Sequence, residues 1–429
     1  MFNKNNNTIV CFWIFISSCF SCFSQVNWIK YPQNPVMVKQ NILSEFYAIG
    51  QPAVIIENDT FKMWYVACGI DHKGRVLHAT STDGVNWAKY GNGAIVMDVD
   101  SSGSWDDTWL DTPEIVHGPN GYLLYFFGDS VTDVPPGPNV ETTSALGVAT
   151  SPDGIHWTRY AGNPILTKGD SASWENFWIE SPAVLYDSVS NQYMMWYSGV
   201  NKNWLIQTGL ATSSDGLNWT KYAGNPVITF GSTGTYDDMW VAVPSVIKRN
   251  NKFEMWYSSF NSIAAWDTIY ICYASSTDGI SWTKYAENPL FHTYTPPSDT
   301  IIDKNGPWAC DVVFDSNSNN YKMWYETAAG FCFATSTNTV DLENFEFSNE
   351  NDYIVYPNPN LGNFIIETIV NNICENKYVE IYSAIGQLIS KSVINNFKEK
   401  IDISDIPAGV YIVKIKNNTK SKIIKIIKQ

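Results

Sequence analysis

Two carboxylates occupy the same position in two neighbouring repeats of this sequence. Asp111 begins the segment Asp-Thr-Pro, and Glu180 begins Glu-Ser-Pro in the following repeat. Two acids that share poorly solvated surroundings have pKa values that move apart, so one can hold a proton while the other is ionised. The pair is therefore suited to general acid and base chemistry. The structural alternative is that each carboxylate accepts hydrogen bonds from loop N–H groups and holds its loop in shape.

The repeats that carry these acids end in a recurring hairpin phrase. ATSTDGVNW begins at Ala79, and related phrases begin at Ala149, Ala211 and Ala274. Each repeat also contains a short apolar segment with a proline and an aromatic segment such as KMWYVA. Four short strands with an Asp-Gly turn in the last hairpin are typical of one blade of a β-propeller. In this hairpin the Asp is interpreted as structural, because it can bond nearby N–H groups while Gly adopts φ > 0.

The fifth phrase is incomplete, and its missing half matches the other end of the chain. ATSTNTV begins at Ala334 and stops before the tryptophan, whereas NWIKYPQNPV from Asn27 matches NWTKYAGNPV from Asn218. We therefore expect the N-terminal segment to supply the outer strand of a fifth blade, which removes an open sheet edge. The predicted fold is all-β: a five-bladed β-propeller over 25–340, a linker over 341–352, and a small C-terminal β-sandwich over 353–429.

The N-terminus and the composition place the chain outside the cytoplasm. Residues 1–24 combine Lys4, an apolar run and small residues before Gln25, as in a signal peptide. A lipid anchor on Cys19 is the alternative, and the run is too short for a transmembrane span. The formal net charge of −15 argues against a nucleic-acid partner and leaves neutral polymers such as sugars open. We expect a secreted or cell-surface protein that is monomeric and has no transmembrane segment.

The C-terminal tail has its own signature. Tyr356-Pro357-Asn358-Pro359, Gly386 and Gly409-Val410-Tyr411 occur at the positions expected for the type A sorting domain of the type IX secretion system of Bacteroidetes. The tail closely resembles that family over nearly its whole length. The resemblance implies contact with the secretion machinery and passage across the outer membrane, usually followed by removal of this domain. The alternative is a generic immunoglobulin-like appendage.

The propeller region resembles the five-bladed glycosidases, which include arabinanases, β-xylosidases, invertases and mannoside phosphorylases. That resemblance implies a base or nucleophile Asp on blade one, an orienting Asp on blade two and a general-acid Glu on blade three. Asp111 and Glu180 match the second and third positions, but blade one offers Gly50-Gln51. The sequence shows no residue spacing typical of a metal site, and no cofactor is expected. Some relatives hold a structural calcium in the channel, which Asp311 would contact.

The missing blade-one acid needs a substitute if a water molecule is to be activated. Asp71, in the loop GIDHKGR, is the predicted base because the other repeats have no acid there. Glu45 is the alternative, but it aligns with Asp106, Glu175 and Asp237, so we interpret it as a loop brace. A phosphorylase would need no base; His72, Lys73 and Arg75 could hold phosphate, but free phosphate outside the cell makes this unattractive.

Aromatic residues near the predicted channel mouth favour sugar binding, because aromatic faces beside carboxylates suit the C–H faces and hydroxyls of sugars. The predicted substrate-binding residues are Gln51, Trp105, Trp109, Trp174, Trp178, Tyr236, Trp240 and Trp308. Further aromatic residues, Trp204 and Trp266, fall in other loops of the same face. Trp109, Trp178, Trp240 and Trp308 share one repeated position, so packing between blades is the alternative for them. The proline-rich loop 128–143 is a predicted wall or lid of the cleft.

The resulting hypothesis is a secreted protein of the glycoside hydrolase type that acts on a polysaccharide or oligosaccharide. Its predicted catalytic residues are Glu180 as general acid, Asp111 as its tuning partner and Asp71 as base. One alternative is a non-catalytic carbohydrate-binding propeller that lacks the blade-one base. Another is a scaffold or adhesin whose propeller binds protein. Glycan retention and sugar release discriminate among the three.

Overall fold

The structure is a computed structural model that describes residues 28–118, 121–130, 143–262, 269–292, 307–336, 353–368, 377–383, 387–394, 396, 398–416 and 421–429. These residues fall into two compact units, the propeller region 28–336 and the C-terminal tail 353–429. Within them the regular structure is β-strand, apart from two single-turn 3-10 helices at Leu43–Glu45 and Tyr90–Asn92. No helix in these ranges is long and apolar enough to span a bilayer. The predicted signal segment, the linker, Trp266, Gly386 and residues 131–142 of the predicted lid lie outside the described residues.

The propeller region contains five antiparallel repeat units among its described residues, numbered one to five in chain order. Unit one comprises β2 (Ala48–Glu57), β3 (Thr60–Cys68), β4 (Gly74–Ser81), β5 (Ala88–Lys89) and β6 (Ile95–Met97). Unit two comprises β7 (Trp109–Gly118), β8 (Gly121–Asp129), β9 (Ala145–Ser151), β10 (Thr158–Arg159) and β11 (Leu166–Thr167). Unit three comprises β12 (Trp178–Asp187), β13 (Gln192–Val200), β14 (Ile206–Ser213) and β15 (Thr220–Lys221).

Units four and five complete the propeller region. Unit four comprises β16 (Trp240–Arg249), β17 (Lys252–Phe260), β18 (Tyr270–Ser276), β19 (Thr283–Lys284) and β20 (Phe291–His292). Unit five comprises β21 (Cys310–Asp315), β22 (Asn320–Thr327), β23 (Gly330–Ser336) and the N-terminal strand β1 (Trp28–Lys30). Within each unit, the first three strands pair in sequence order, and the short outer strands pair with the third.

The second strand of each unit is covered on both faces. Met63, Trp64 and Tyr65 are consecutive residues of β3, and each has an exposed fraction of 0%. Because successive side chains of a strand point to opposite faces, such a run is buried only when neighbouring sheets pack on both sides. The aromatic segments of the sequence are thus the interfaces through which the units stack.

The Asp-Gly hairpin is held by its own side chains. In unit one, the carboxylate of Asp83 accepts hydrogen bonds from the N–H groups of Val85 (2.9 Å) and Asn86 (2.8 Å). Gly84 has φ +81°, and the indole of Trp87 donates to its carbonyl at 3.0 Å. The carboxylates of Asp153, Asp215 and Asp278 make the same pair of backbone contacts in units two to four. The structural interpretation of this motif is confirmed.

A buried side chain on the second strand of four units bonds to the hairpin glycine of another unit. The bonds are Trp64 to Gly154 (2.8 Å), Tyr125 to Gly216 (2.9 Å), Trp196 to Gly279 (2.8 Å) and Trp324 to Gly84 (2.7 Å). Each bond reaches the unit that follows, and the last of them joins unit five to unit one. These bonds therefore run around the region and return to its beginning.

The exception is unit four, and it has a physical reason. The indole N–H of Trp256 has no hydrogen-bond partner among the described residues. Unit five takes its outer strand from the N-terminus, so no Asp-Gly hairpin presents a glycine carbonyl to Trp256. The Trp256 ring instead meets Trp28 edge-on, with the ring centroids 6.1 Å apart.

The predicted N-terminal closure is confirmed by strand pairing. β1 runs antiparallel to β23, with Trp28 opposite Ser336 and Lys30 opposite Ala334. The side chain of Asn34 then bonds both backbone groups of Phe333, accepting from N–H at 2.7 Å and donating to the carbonyl at 3.0 Å. Asn163, Asn225 and Asn288 make equivalent pairs of bonds inside units two, three and four.

The C-terminal tail is a small β-sandwich. One sheet contains β24 (Tyr353–Tyr356), β25 (Asn363–Thr368) and β28 (Lys398–Asp402). The other contains β26 (Lys377–Ser383), β27 (Leu388–Ile394), β29 (Gly409–Lys416) and β30 (Ser421–Lys428). Alternating side chains such as Phe364, Ile366, Val413 and Ile415 face a common core. The all-β fold class predicted for both parts is confirmed.

Candidate active site at the channel mouth

Strand register places the predicted acids at one structural position. Asp111 lies opposite Phe127 in unit two, and Glu180 lies opposite Ser198 in unit three. Gly50 and Ala242 hold this position in units one and four. The alignment on the first-strand proline is therefore correct for these four units, and only units two and three present a carboxylate there.

A bulge follows this position in the same four units and leaves a backbone N–H free to bond a side chain. The bulged residues have left-handed backbones: Gln51 (φ 56°), Thr112 (φ 43°), Ser181 (φ 52°) and Val243 (φ 49°). A left-handed conformation is costly for residues with a branched β-carbon, so the surrounding contacts must enforce it. Each of these four N–H groups donates to a side-chain oxygen at the mouth.

Asp111 is fixed by two of its neighbours. Its carboxylate accepts hydrogen bonds from the indole N–H of Trp109 at 2.9 Å and from the N–H of Thr112 at 2.8 Å. Burial raises the pKa of Asp111, and these two bonds oppose that rise. The predicted substrate-binding residue Trp109 thus positions a carboxylate directly.

Glu180 lies close enough to Asp111 for their charges to interact. Burial and, next, the negative charge of Asp111 raise the pKa of Glu180 to about 7, and Trp178 opposes the rise. Trp178 precedes Glu180 by two residues in the sequence, as Trp109 precedes Asp111, so an indole N–H faces each acid. The structure therefore brings the two predicted acids together, and Glu180 can hold a proton near neutral pH.

Asp71, the predicted base, is engaged elsewhere. Both of its oxygens accept hydrogen bonds from the Arg75 guanidinium, at 2.7 and 2.6 Å. Its side chain is 47% exposed, and the Arg75 bonds lower the pKa of Asp71 to about 2. A carboxylate with so low a pKa is a weak base. The cations of this loop are engaged as well, because Arg75 also bonds Asp98 at 2.6 Å and Lys73 donates to the Asp107 carbonyl at 2.8 Å.

The interpretation of Glu45 as a loop brace is confirmed. Its buried carboxylate pairs with Lys89 at 2.6 Å and accepts a bond from the Tyr65 hydroxyl at 2.7 Å. The aligned pairs in the next units are Asp106 with Arg159, Glu175 with Lys221, and Asp237 with Lys284. In every case, an acid of the entering loop is paired with a cation of the outer strand of the same unit.

Sequence reasoning missed a third carboxylate at the mouth, that of Glu326 on the second strand of unit five. It accepts a hydrogen bond from the N–H of Gln51 at 2.8 Å. A β-carbon added to Gly50 would lie only 2.6 Å from its Oε2 atom and 2.8 Å from its Cδ atom. The Glu326 carboxyl group therefore fills the space that a side chain at position 50 would use. Burial raises the pKa of Glu326 to about 7, with the charge of Asp111 adding to the rise and the Gln51 bond opposing it.

Two departures from the repeat pattern, in adjacent units, are the sequence signals associated with Glu326. The residue two after the buried second-strand aromatic is Val66, Phe127, Ser198 or Ser258 in units one to four, and Glu326 in unit five. Unit one, in turn, has glycine at the position where units two and three have acids. Each departure is unremarkable alone, and only spatial proximity relates them.

Three of the predicted aromatic ligands contact side chains of their own unit and pack into the cores between units. Trp105 stacks on Phe126 with centroids 5.8 Å apart, and Trp174 packs against Tyr197 at 6.1 Å. Tyr236 receives a hydrogen bond from Asn288 at 3.3 Å and lies in the core between units three and four. Sugar contact through these three side chains stays a prediction.

The other predicted aromatic ligands lie at the starts of the first strands. Trp178 meets Trp204 edge-on at 4.9 Å, and Trp240 donates its indole N–H to the Trp204 carbonyl at 2.9 Å. Trp308, by contrast, has an exposed fraction of 39%. Sugar contact through these residues and Trp109 also stays a prediction.

A second pair of carboxylates, Glu114 and Asp311, lies two pairing positions further along the first strands. Asp311 accepts bonds from the Val54 N–H (2.5 Å) and the Ser245 hydroxyl (2.8 Å), so it connects unit five to units one and four. Burial raises the pKa of Asp311 to about 6 and, together with the charge of Asp311, raises that of Glu114 well above its usual value. No group of three or more His, Cys, Asp or Glu side chains in the described ranges could hold a metal ion.

Unit five departs from the others at its first strand, and this corrects one detail of the alignment. It lacks the bulge, so Asp311 lies opposite Trp324 just as Glu114 lies opposite Tyr125. The residue facing Glu326 is Ala309, whose carbonyl accepts the Glu326 N–H at 2.8 Å. Counting along the repeats pairs Cys310 with Gly50, but the strand pairing shows that Ala309 is the structural counterpart of Gly50.

Comparison with known proteins identifies the tail. Residues 354–429 match the family model described as the secretion system C-terminal sorting domain. The tail carries a sorting domain. The protein is therefore directed to the outside of the cell or to its surface, as the sequence predicted.

The propeller region is similar in fold to solved glycoside hydrolases. A putative glycoside hydrolase from Parabacteroides distasonis is 16% identical with a TM-score of 0.56, covering 73% of this sequence and 97% of that protein. A glycosyl hydrolase from Bacteroides ovatus is 17% identical with a TM-score of 0.55, covering 73% and 94%. A third structure comes from the GH130 family, described as mannoside phosphorylases that contain glycoside hydrolases targeting β-1,2 mannosidic linkages. It is 17% identical with a TM-score of 0.56, covering 74% of this sequence and 95% of that protein. At these identities the similarity establishes the fold alone.

Among curated proteins, the similarity is to a protein without an assigned activity. An uncharacterized protein of Mycobacterium tuberculosis is 26% identical over 248 residues, which cover 54% of this chain and 74% of the relative. Any assignment of chemistry therefore depends on the side chains at the mouth.

Proposed function

We propose that this exported protein cleaves glycosidic bonds in a polysaccharide or its oligosaccharides at the channel mouth. The supporting observation is the pair formed by Asp111 and Glu180, which hold the same register position in adjacent units. The charge of Asp111 helps to keep the pKa of Glu180 at about 7. A carboxyl group with this pKa can donate a proton to a leaving-group oxygen near neutral pH.

In this proposal Glu180 is the general acid, and Asp111 maintains its protonation. Asp111 can do so because Trp109 and Thr112 hold its carboxylate in one orientation. Trp109 contacts Asp111, and Trp178 lies near Glu180, so aromatic rings accompany both acids and suit the C–H faces of sugar rings. The proposed substrate class follows from this combination of acids and aromatic faces.

The test combines sugar release with sugar retention. The purified full chain and its Glu180→Gln variant are incubated with a panel of plant and algal polysaccharides and oligosaccharides. Chromatography measures released sugars, and affinity electrophoresis measures retention. We expect Glu180→Gln to lower release by roughly 100-fold or more while retention persists, because only the proton donor is removed. The matched control is Glu287→Gln, an exposed residue of an outer hairpin.

The outcomes separate the candidate functions. Release that is equally fast in Glu180→Gln and wild type would overturn the assignment of the acid. Retention without release by the wild type would favour a carbohydrate-binding propeller. Neither retention nor release across the panel would favour a protein-binding scaffold.

A further inference from the structure

The third carboxylate at the mouth gives the proposed reaction the group that unit one lacks. We propose that Glu326 is the general base, delivered from the second strand of unit five into the space beside Gly50. This inference rests on the proposed function, because it assigns a role within the same reaction.

The first argument is steric. A side chain at position 50 would collide with the Glu326 carboxyl group, whose three heavy atoms lie 2.6–2.9 Å from an added β-carbon. Gly50 itself does not have a left-handed backbone, so its φ angle does not exclude other residues. Glycine is therefore matched to Glu326, and the carboxylate reaches the place of a unit-one side chain from a different strand.

The second argument is that a structural role does not require a charge. Ser198 holds the equivalent position in unit three, and its hydroxyl accepts the Val243 N–H at 2.9 Å. Glu326 does the same for the Gln51 N–H. A neutral hydroxyl thus suffices to satisfy the bulge, whereas a carboxylate in this partly buried place costs free energy unless it serves another purpose.

The third argument is the order of the acids around the mouth. Glu326 occupies the place of unit one, Asp111 that of unit two and Glu180 that of unit three. Asp111 influences both of the others, and it lies between them along the ring. Glu326 and Glu180 therefore belong to positions separated by that of Asp111, and a general base that activates water must likewise stand apart from the general acid.

The chemical step balances with these groups. The water oxygen bonds to the anomeric carbon while the bond from that carbon to the leaving-group oxygen breaks. One proton of the water passes to the Glu326 carboxylate, and the Glu180 proton passes to the leaving-group oxygen. Proton exchange with solvent then restores both carboxyl groups.

The experiment moves the carboxylate back to unit one. Four full-length proteins are compared: wild type, Glu180→Gln, Glu326→Ser and the double variant Gly50→Asp with Glu326→Ser. The serine preserves the hydrogen bond to the bulge, as Ser198 does. The probes are oligosaccharides released from the glycan panel and p-nitrophenyl pentosides and hexosides, whose leaving group departs without protonation.

We expect Glu326→Ser to lower kcat by roughly 100-fold or more on both kinds of probe, since water activation is common to both. Glu180→Gln should lose oligosaccharide cleavage but retain much of its p-nitrophenyl glycoside cleavage. The kcat of the double variant should be at least about tenfold higher than that of Glu326→Ser. With Glu326→Ser, added azide should replace water as the nucleophile and produce a glycosyl azide. Thermal unfolding checks folding; if Glu326→Ser does not fold, the near-isosteric Glu326→Gln carries the same expectation.

Two results would overturn the inference, and they are distinguishable. If Glu326→Ser keeps the wild-type kcat while Glu180→Gln loses oligosaccharide cleavage, Glu326 only bonds the bulge at Gln51. The proposed function would then remain intact. Wild type that releases nothing from either kind of probe would remove the proposed function and this inference together.

Discussion

The carboxylate of Glu326 and the backbone N–H of Gln51 are joined by a 2.8 Å hydrogen bond across 275 residues of sequence. The bond joins unit five to unit one, the two units between which the propeller region closes. The proposed base and the closure of the ring therefore depend on the same packing. Each of the following predictions tests one part of this arrangement.

Replacement of Asp111 by Asn should shift the pH dependence of cleavage. The Asp111 charge raises the pKa of both Glu180 and Glu326, so its removal lowers both values. The ionisation of the base and the deprotonation of the acid then occur at lower pH, and the whole bell-shaped profile should move towards acid. Measurement of kcat/KM from about pH 4 to about pH 9 checks this. An unmoved profile, or one displaced towards alkali, would contradict the assigned coupling.

Replacement of Glu114 by Gln should stabilise the propeller region, increasingly so at higher pH. Burial and the Asp311 charge raise the pKa of Glu114, while in the unfolded chain it ionises near its ordinary value. The folded state thus holds a proton that the unfolded state releases, and stability falls by up to about 1.4 kcal/mol per pH unit between the two pKa values. Gln keeps an acceptor for the Val184 N–H, which Glu114 now bonds at 3.1 Å.

Thermal unfolding of wild type and Glu114→Gln at about pH 5 and about pH 8 measures this difference. The advantage of the variant should be larger at the higher pH. An advantage that shrinks as the pH rises would show that Glu114 is stabilised in its ionised form. The matched control is again Glu287→Gln at an exposed position.

Trp324→Phe should destabilise the protein more than Trp256→Phe. Both tryptophans are fully buried at the same position of their units, but only Trp324 bonds a hairpin glycine, Gly84. The two changes remove a similar ring volume, so the difference isolates the hydrogen bond that joins unit five to unit one. We expect a difference of about 1 kcal/mol in the free energy of unfolding. Urea denaturation measures it, and equal losses would assign no net stability to this bond.

Asp71→Asn should leave turnover close to that of wild type. Its carboxylate is bound to Arg75, its pKa is about 2, and nearly half of its side chain is exposed. Loss of an ion pair of this exposure costs at most about 1 kcal/mol of stability. Steady-state kinetics on the active glycan checks the prediction. A fall in kcat as large as that of Glu326→Ser would restore Asp71 as the base.

The sequence by itself determined the repeat architecture, because the chemistry of the repeat is local. Asp83, Gly84 and Trp87 form their hairpin from contacts within a few residues, and that pattern recurs wherever the phrase recurs. The similarity between the segments that begin at Asn27 and Asn218 likewise identified the N-terminal closure. A strand pairs by the same backbone bonds whichever part of the chain supplies it. Asp111 and Glu180 followed from alignment of these repeats.

The tertiary structure alone decided which third acid joins them. Asp71 was a reasonable choice from its loop, but Arg75 lies within reach of both its oxygens and holds them. Glu326 occupies the unit-one place because its side chain extends across the seam into the volume left by Gly50. Which atoms fill a space between two units depends on how the ring closes in three dimensions, and a repeat pattern describes each unit only along its own strand.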